Sequence, residues 1–295
     1  MTINNSLVPA VPRPKVPKEA LYQTPPVAWP TLALFVITLA VSISTIALAV
    51  KGLLPNGLAV ALLTVAAFVQ FTVLHDGVHR SVARAYPKLN DAVAGIAGVF
   101  LGPVGICKAF RYVHFAHHRM TNQPDKDPDL WSGLGRWWSL PLQWITVDLA
   151  YAVRILRDWR LIPRRDFIEI VALVLLFSSA YAAAWFTGWG WEATLYWLIP
   201  SRIALPWLAF AFNYLPHHPH NIEQSHNPYA ATNARKGGEP FMRWAFLHQN
   251  MHVVHHLFPS VPFYRYATIW AKNRRQWKAL GTPEVPWIGR AKPLA

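Results

Sequence analysis

Residues 29–79 read WPTLALFVITLAVSISTIALAVKGLLPNGLAVALLTVAAFVQFTVLHDGVH. From Trp29 to Val50 there is no charged side chain; after Lys51 and a Pro-Asn-Gly turn, a second apolar run extends from Leu58 to Leu74. About 20 apolar residues in a helix span the hydrocarbon core of a bilayer. Lipid offers the backbone no hydrogen bonds, so a spanning segment has to satisfy its own N–H and C=O groups. The stretch therefore predicts two membrane-crossing helices joined by a tight turn. It ends on two histidines, His75 and His79, with Asp76 between them.

The pattern returns later in the chain. A third apolar run covers about Phe167 to Phe186, Gly188 to Gly190 supply a turn, and a fourth run covers about Ala193 to Leu215. The fourth holds Arg202 and two prolines, Pro200 and Pro206. An arginine within a span is costly and by default a functional residue; the alternative is a snorkelling or paired structural residue near Glu192. A shorter run, Ala92 to Ile106, is too short and too rich in glycine to cross twice, and reads as a re-entrant or interfacial segment. Trp137 to Leu161, with many Trp and Arg, reads as an amphipathic helix lying in the interface.

Composition agrees. Of 295 residues, 53% are apolar and 14% charged, against about a quarter charged in soluble proteins. The net charge of +14 is too apolar in context for a nucleic-acid-binding domain, and suits a surface facing anionic headgroups. All of the 28 lysines and arginines except Lys51 and Arg202 lie in residues 1–28, 76–166 and 216–295. The positive-inside rule then makes those segments cytoplasmic. The expected fold is an all-α integral membrane protein: four transmembrane helices as two hairpins, a cytoplasmic histidine-rich cap, and interfacial or re-entrant helices. Residues 1–28, Pro-rich and polar with no secretory signal pattern, read as a flexible N-terminal arm. Residues 29–270 form the membrane domain and 271–295 a basic C-terminal tail. A bacterial inner membrane is the expected location.

The thirteen histidines are clustered. All but His226 and His248 form His75-x3-His79, His114-x2-His117-His118, His217-His218-x-His220 and His252-x2-His255-His256. Residues three and four apart share a helix face, so each group can aim imidazoles at one point. Imidazole ligates Fe, Zn, Cu or Ni, and eight or more exceed the three or four ligands one zinc takes. A two-metal centre is implied. The single cysteine, Cys107, excludes Cys-ligated zinc or an iron–sulfur cluster within this chain. Metal-bound imidazoles usually donate their other N–H to a carboxylate or carbonyl; Asp76, Asp125, Asp127 and Asp129 are the candidates. His218, His220, His226 and His248 have no assigned role, and His248, four residues before His252, could act from behind the ligands with Gln249 and Asn250.

The order HDGVH, HFAHH, NYLPH, HVVHH on two membrane hairpins resembles the membrane-bound fatty acid desaturase superfamily, which includes lipid and carotenoid hydroxylases and ketolases. The resemblance implies two iron ions held by the boxes, with O2 as co-substrate. It implies His75, His79, His114, His117, His118, His217, His252, His255 and His256 as ligands, and Asn213, four residues before His217, acting through water. The three residues between His75 and His79 look more like acyl-lipid and bacterial members than animal acyl-CoA enzymes. LFPSVPFYRY (residues 257–266) is similar to the tails of both bacterial desaturases and carotenoid ring hydroxylases. The implied partners are a lipid acyl or carotenoid substrate, membrane lipids, and a separate ferredoxin-, rubredoxin- or cytochrome b5-like electron donor, steered by the basic face; nucleic acid is not among them. The favoured activity is an O2-dependent desaturase that puts a double bond into a fatty acyl chain. The alternative is a hydroxylase or ketolase of the same superfamily, and a remote one is a membrane metal transporter, whose ligands would sit nearer mid-membrane.

Overall fold

Pro30 stands in the first turn of the first long helix, α1 (Trp29–Val50), where its missing N–H forfeits no helical bond. This computed structural model describes residues 10–237 and 239–287. Residues 1–9 of the expected arm and 288–295 of the expected tail lie outside them. The described chain is mostly helical, with almost no strand, and divides into two compact units. A membrane unit comprises Pro26–Val113 and Trp144–Leu208; a histidine unit comprises the segment up to Pro25, His114–Gln143, and the chain from Ala209 onward.

In the membrane unit, α2 (Asn56–Val78) begins two residues before its apolar stretch and runs about a turn past its end. Its polar residues are held by α1: Gln70 Nε2 donates to Phe35 O at 3.3 Å, and Thr31 Oγ1 donates to Asp76 Oδ2 at 3.0 Å. Asp76 thus serves the helix pair. The run from Ala92 to Ile106 resolves as the second half of α3 (Pro87–Val99) and a tight 3-10 turn, Gly102–Gly105. Two glycines set that turn: a Cβ on Gly98 or on Gly105 would collide with the other's backbone. Asn90 ties α3 back, donating to Gly77 O at 2.8 Å, and Gly77 lies so close to Ala94 that a Cβ there would overlap it. Close helix approach through small residues is the usual device where lipid, not water, surrounds the helices.

Next comes α4 (Cys107–Met120). The expected amphipathic helix over 137–161 is instead two, α5 (Leu140–Ile145) and α6 (Val147–Arg157), broken at Thr146. The break leaves the Ile145 carbonyl without a helical donor, and Arg202 Nη2 supplies one at 2.9 Å. Arg202 also pairs with Asp148. Its partner is therefore Asp148, not a group near Glu192, and it acts as a structural clamp. The third long helix is α7 (Arg164–Phe186), followed by α8 (Gly190–Tyr214). With α1 and α2 these make four helices long and apolar enough to cross a membrane. Pro206 removes a backbone donor inside α8, and two π-helical stretches, Thr194–Leu198 and Ala209–Tyr214, interrupt it. Such bulges often mark functional positions, and the second carries Asn213.

The histidine unit has α9 (Glu239–Ala245), α10 (His252–Leu257) and α11 (Tyr266–Ala279), plus a parallel strand pair, β1 (Ala234–Lys236) with β2 (Glu284–Pro286). Residues 10–25, read from composition as a flexible arm, are bonded into this unit. Val11 N donates to His226 O at 2.8 Å, Arg13 reaches His256 O, and Arg265 Nη1 donates to Ala20 O at 2.9 Å and Gln23 O at 2.6 Å. Composition does not show these tertiary bonds, which reach the segment at backbone and side chain alike, as where Asn273 Nδ2 donates to the Tyr22 hydroxyl at 2.5 Å. Helix α11 runs across residue 270, so the expected tail begins inside a helix.

Candidate metal centre

Helix α4 carries HFAHH, and at its C-terminal end His114, His117 and His118 are all buried. Asp127 fixes His117. Its carboxylate lies 2.8 Å from His117 Nδ1 and accepts from Asn122 N at 2.7 Å and Asp129 N at 2.9 Å. The Asp127 carboxylate accepts on every side, so His117 presents Nδ1–H to it. His117 Nε2 therefore points the other way, 3.2 Å from His256 Nε2.

His256 is oriented by a residue the histidine pattern gave no reason to notice. Gln224 Nε2 donates to the His118 carbonyl at 2.6 Å, which fixes which end of its amide is oxygen. The oxygen lies 2.9 Å from His256 Nδ1 and accepts its proton. Two ring nitrogens that have each spent their N–H on the far side thus meet at 3.2 Å. Only a proton or a cation between them makes that contact favourable.

The same logic repeats around the focus. His252 Nδ1 is 2.8 Å from Gln249 Oε1, and His255 Nδ1 is 3.0 Å from the Tyr266 hydroxyl. His217 is buried with both ring nitrogens lacking a hydrogen-bond partner, an arrangement that costs free energy unless something else binds them. His117, His217, His252 and His256 each offer a ligand atom, all within 4.8 Å of one another. A second convergence lies beside it: His118 Nε2 is 3.0 Å from His114 Nε2 and 2.8 Å from His255 Nε2.

The electrostatics suit a cation. Burial pushes His217 and His256 well below the usual imidazole value, and neighbouring imidazoles add to it, so both are neutral. Burial also opposes charge on His117, but Asp127 and Asp129 outweigh it and raise its pKa to about 9. Of these three imidazoles, His117 is the one on which the fold favours a proton. His117, Asp127 and Asp129 also lie close enough to suggest a metal group. Asp127 is already saturated by donors and His117 turns its protonated nitrogen to it, so that trio orients rather than ligates. The all-nitrogen focus fits a borderline transition metal.

The remaining expected residues fall as follows. In the membrane unit, buried His75 lies in the last turn of α2 and His79 caps it, their rings 5.3 Å apart. Asn213 is buried and donates to Ser132 Oγ at 3.4 Å. Of the acidic run, Asp127 and Asp129 are buried while Asp125 is exposed. His218 packs on the Tyr214 ring at 4.9 Å. His220 lies with Nδ1 3.2 Å from Asn122 Oδ1, over Gly133, where a Cβ would strike its ring; burial pushes its pKa down to about 4. His248 stands against Phe263 at 6.0 Å, in no metal-compatible group among the described residues. Sequence reasoning missed Gln224, which no motif marks. It quoted Tyr266 within LFPSVPFYRY without reading its role.

The family model for fatty acid desaturase matches residues 51–287. The chain belongs to the fatty acid desaturase family. Within that family it is 26% identical to an sn-1 oleoyl-lipid 12-desaturase of Anabaena variabilis, across 89% of this chain and 80% of the relative. It is 27% identical to a beta-carotene ketolase of Paracoccus sp. (strain N81106 / MBIC 01143), across 66% of this chain and 71% of the relative. This desaturase-family protein is an oxidoreductase, and the transporter reading falls away.

Proposed function

We propose that the protein is an O2-dependent di-iron lipid desaturase that introduces a double bond into a fatty acyl chain. The observation that carries this is the convergence of His117, His217, His252 and His256 nitrogens, with His117 and His256 locked so that Nε2 faces inward. The proposed ligand set adds His114, His118 and His255 from the second convergence. It adds His75 and His79 from their motif's resemblance to the family's first box, and Asn213 acting through water. Two irons so held would supply, with O2 and two electrons, an oxidant able to take hydrogen from an unactivated C–H bond. The chain's own residues then have defined tasks. Asp127, Gln224, Gln249 and Tyr266 hold the imidazoles in one orientation, and burial keeps His217 and His256 neutral. The electrons come from a separate ferredoxin-, rubredoxin- or cytochrome b5-like protein drawn to basic surface.

We further propose that the four long helices cross a bacterial inner membrane as two hairpins, with the histidine boxes cytoplasmic. The desaturase reading is favoured because the matching oleoyl-lipid desaturase covers more of this chain than the ketolase does. The second reading, carotenoid ketolase or hydroxylase, rests on that ketolase match. Expression in a host of defined lipid and carotenoid content, followed by mass spectrometry of both pools, separates them. Loss of two hydrogens from an acyl chain supports the first; oxygen gained by a carotenoid supports the second and overturns the first.

A further inference from the structure

The membrane unit contains an apolar groove of about 400 Å³, within the range of small-molecule sites. Helix α4 contributes Ala109 and Phe110, α6 contributes Ala152 and Ile155, and α7 contributes Val171 and Leu175. The one charged group in its lining, Asp148, is already held by Arg202. None of the histidine boxes lines it, so the groove is not explained by the metal chemistry.

The charge around it is one-sided. The chain turns from α6 to α7 through residues 158–163, where the Trp159 ring lies 6.1 Å from that of Phe167, a residue of the groove's lining. Arg160 lies over the Trp159 ring at 5.2 Å. On α7, Arg164 shares a face with Phe167, Val171 and Val174 by its spacing, so an exposed arginine heads the very stripe that lines the groove. Nearby acids are engaged elsewhere: Asp158 pairs with Arg154 and accepts from Tyr112, and Asp166 pairs with Lys108 at 3.0 Å.

A long apolar slot with cationic groups at one end calls for a ligand with a hydrocarbon chain and a negative head. A neutral carotenoid would use the slot and ignore the arginines, and the ammonium of a zwitterionic lipid would be repelled by them. We propose that this groove binds one acyl chain of an anionic phospholipid whose headgroup phosphate is held by Arg160 and Arg164. Such a lipid is a resident of the protein. The site is independent of the oxidation chemistry proposed above.

The test uses the full-length protein reconstituted in phosphatidylcholine bilayers doped with phosphatidylglycerol, extracted gently, with retained lipid counted by native mass spectrometry. Phosphatidylglycerol should be retained over phosphatidylcholine by roughly an order of magnitude more than its share of the bilayer, as two arginines near a headgroup provide. The double variant R160Q/R164Q should lose that preference with its helix content unchanged. A152W, which fills the slot, should lose the retained lipid altogether while its metal content stays that of the natural protein. Equal retention of the two lipids, a preference that survives R160Q/R164Q, or retention of a neutral isoprenoid in their place would overturn the proposal.

Discussion

In α7, Ile168, Leu175, Leu176 and Phe186 are exposed; in α10, His252, His255 and His256 are all buried. One region turns hydrocarbon outward, the other turns imidazole inward. Both follow one rule applied with different solvents. Lipid accepts apolar surface and gives the backbone nothing, so the long helices bond internally and leave their side chains unmatched. A polar interior gives no such freedom, and most ring nitrogens there are matched to a chosen partner. In water, an apolar surface as large as that of α7 would drive association. The difference teaches where substitutions should matter.

The largest effect is expected at the inward imidazoles. His256→Ala should abolish product formation and strip metal from the site, read by lipid analysis and metal content on the purified protein. Leu176→Ala on lipid-facing α7 should leave stability within about 0.5 kcal/mol. Retained metal in the first variant would break the contrast between the regions.

Asp127→Asn sharpens it. Losing the carboxylate behind a metal-bound histidine costs roughly 10–100-fold in metal affinity. It should also alter the proton balance. His117 has a folded pKa of about 9 against 6.5, so its protonated form is favoured by the fold. That stabilisation of the metal-free protein is full below pH 6.5 and disappears as pH rises through about 9. Metal binding near neutral pH should therefore expel about one proton, and affinity should weaken as pH falls. Calorimetric titration in buffers of different ionisation enthalpy measures this, and in Asp127→Asn the released proton should be missing.

Gln224→Leu is next, with metal affinity down by about tenfold, because His256 loses the acceptor that fixes its tautomer and the His118 carbonyl loses a donor. Equilibrium metal competition provides the number; an unchanged affinity would remove Gln224 from the site.

The smallest effect is expected far from the imidazoles. Glu284 takes Arg274 at 2.5 and 2.9 Å and lies near Lys236 and Lys278, which with its hydrogen bonds hold its pKa at about 2. A depressed carboxylate contributes stability above its unfolded pKa of about 4.3, and loses it as pH falls toward 2. Glu284→Gln should cost about 1 kcal/mol near neutral pH, and the gap from the natural protein should close in melting experiments near pH 2.

Much of this was legible in the residues. Uncharged runs gave α1, α2, α7 and α8 to within a few positions, since length and polarity alone decide whether a helix fits a bilayer. The boxes identified most of the clustered imidazoles because i, i+3 and i+4 share a helix face. Other features were not legible. The break at Thr146 depends on Arg202 arriving from residues far along the chain to satisfy the Ile145 carbonyl. The binding of residues 10–25 depends on Arg265 and Asn273. Asp125 and Asp127 look alike in sequence, yet only Asp127 is buried beside His117.

By itself, then, the sequence determined the four long apolar helices, the clustering of the histidines and the family, because these follow from residue type and short-range spacing. Only the tertiary structure decided which nitrogen of each clustered histidine faces inward. That choice belongs to Asp127, Gln224, Gln249 and Tyr266, and all but Gln249 are at least ten residues from the histidine they orient. A hydrogen bond requires atoms about 3 Å apart, and for Gln224 and His256, 32 positions apart, only the folded chain supplies that closeness.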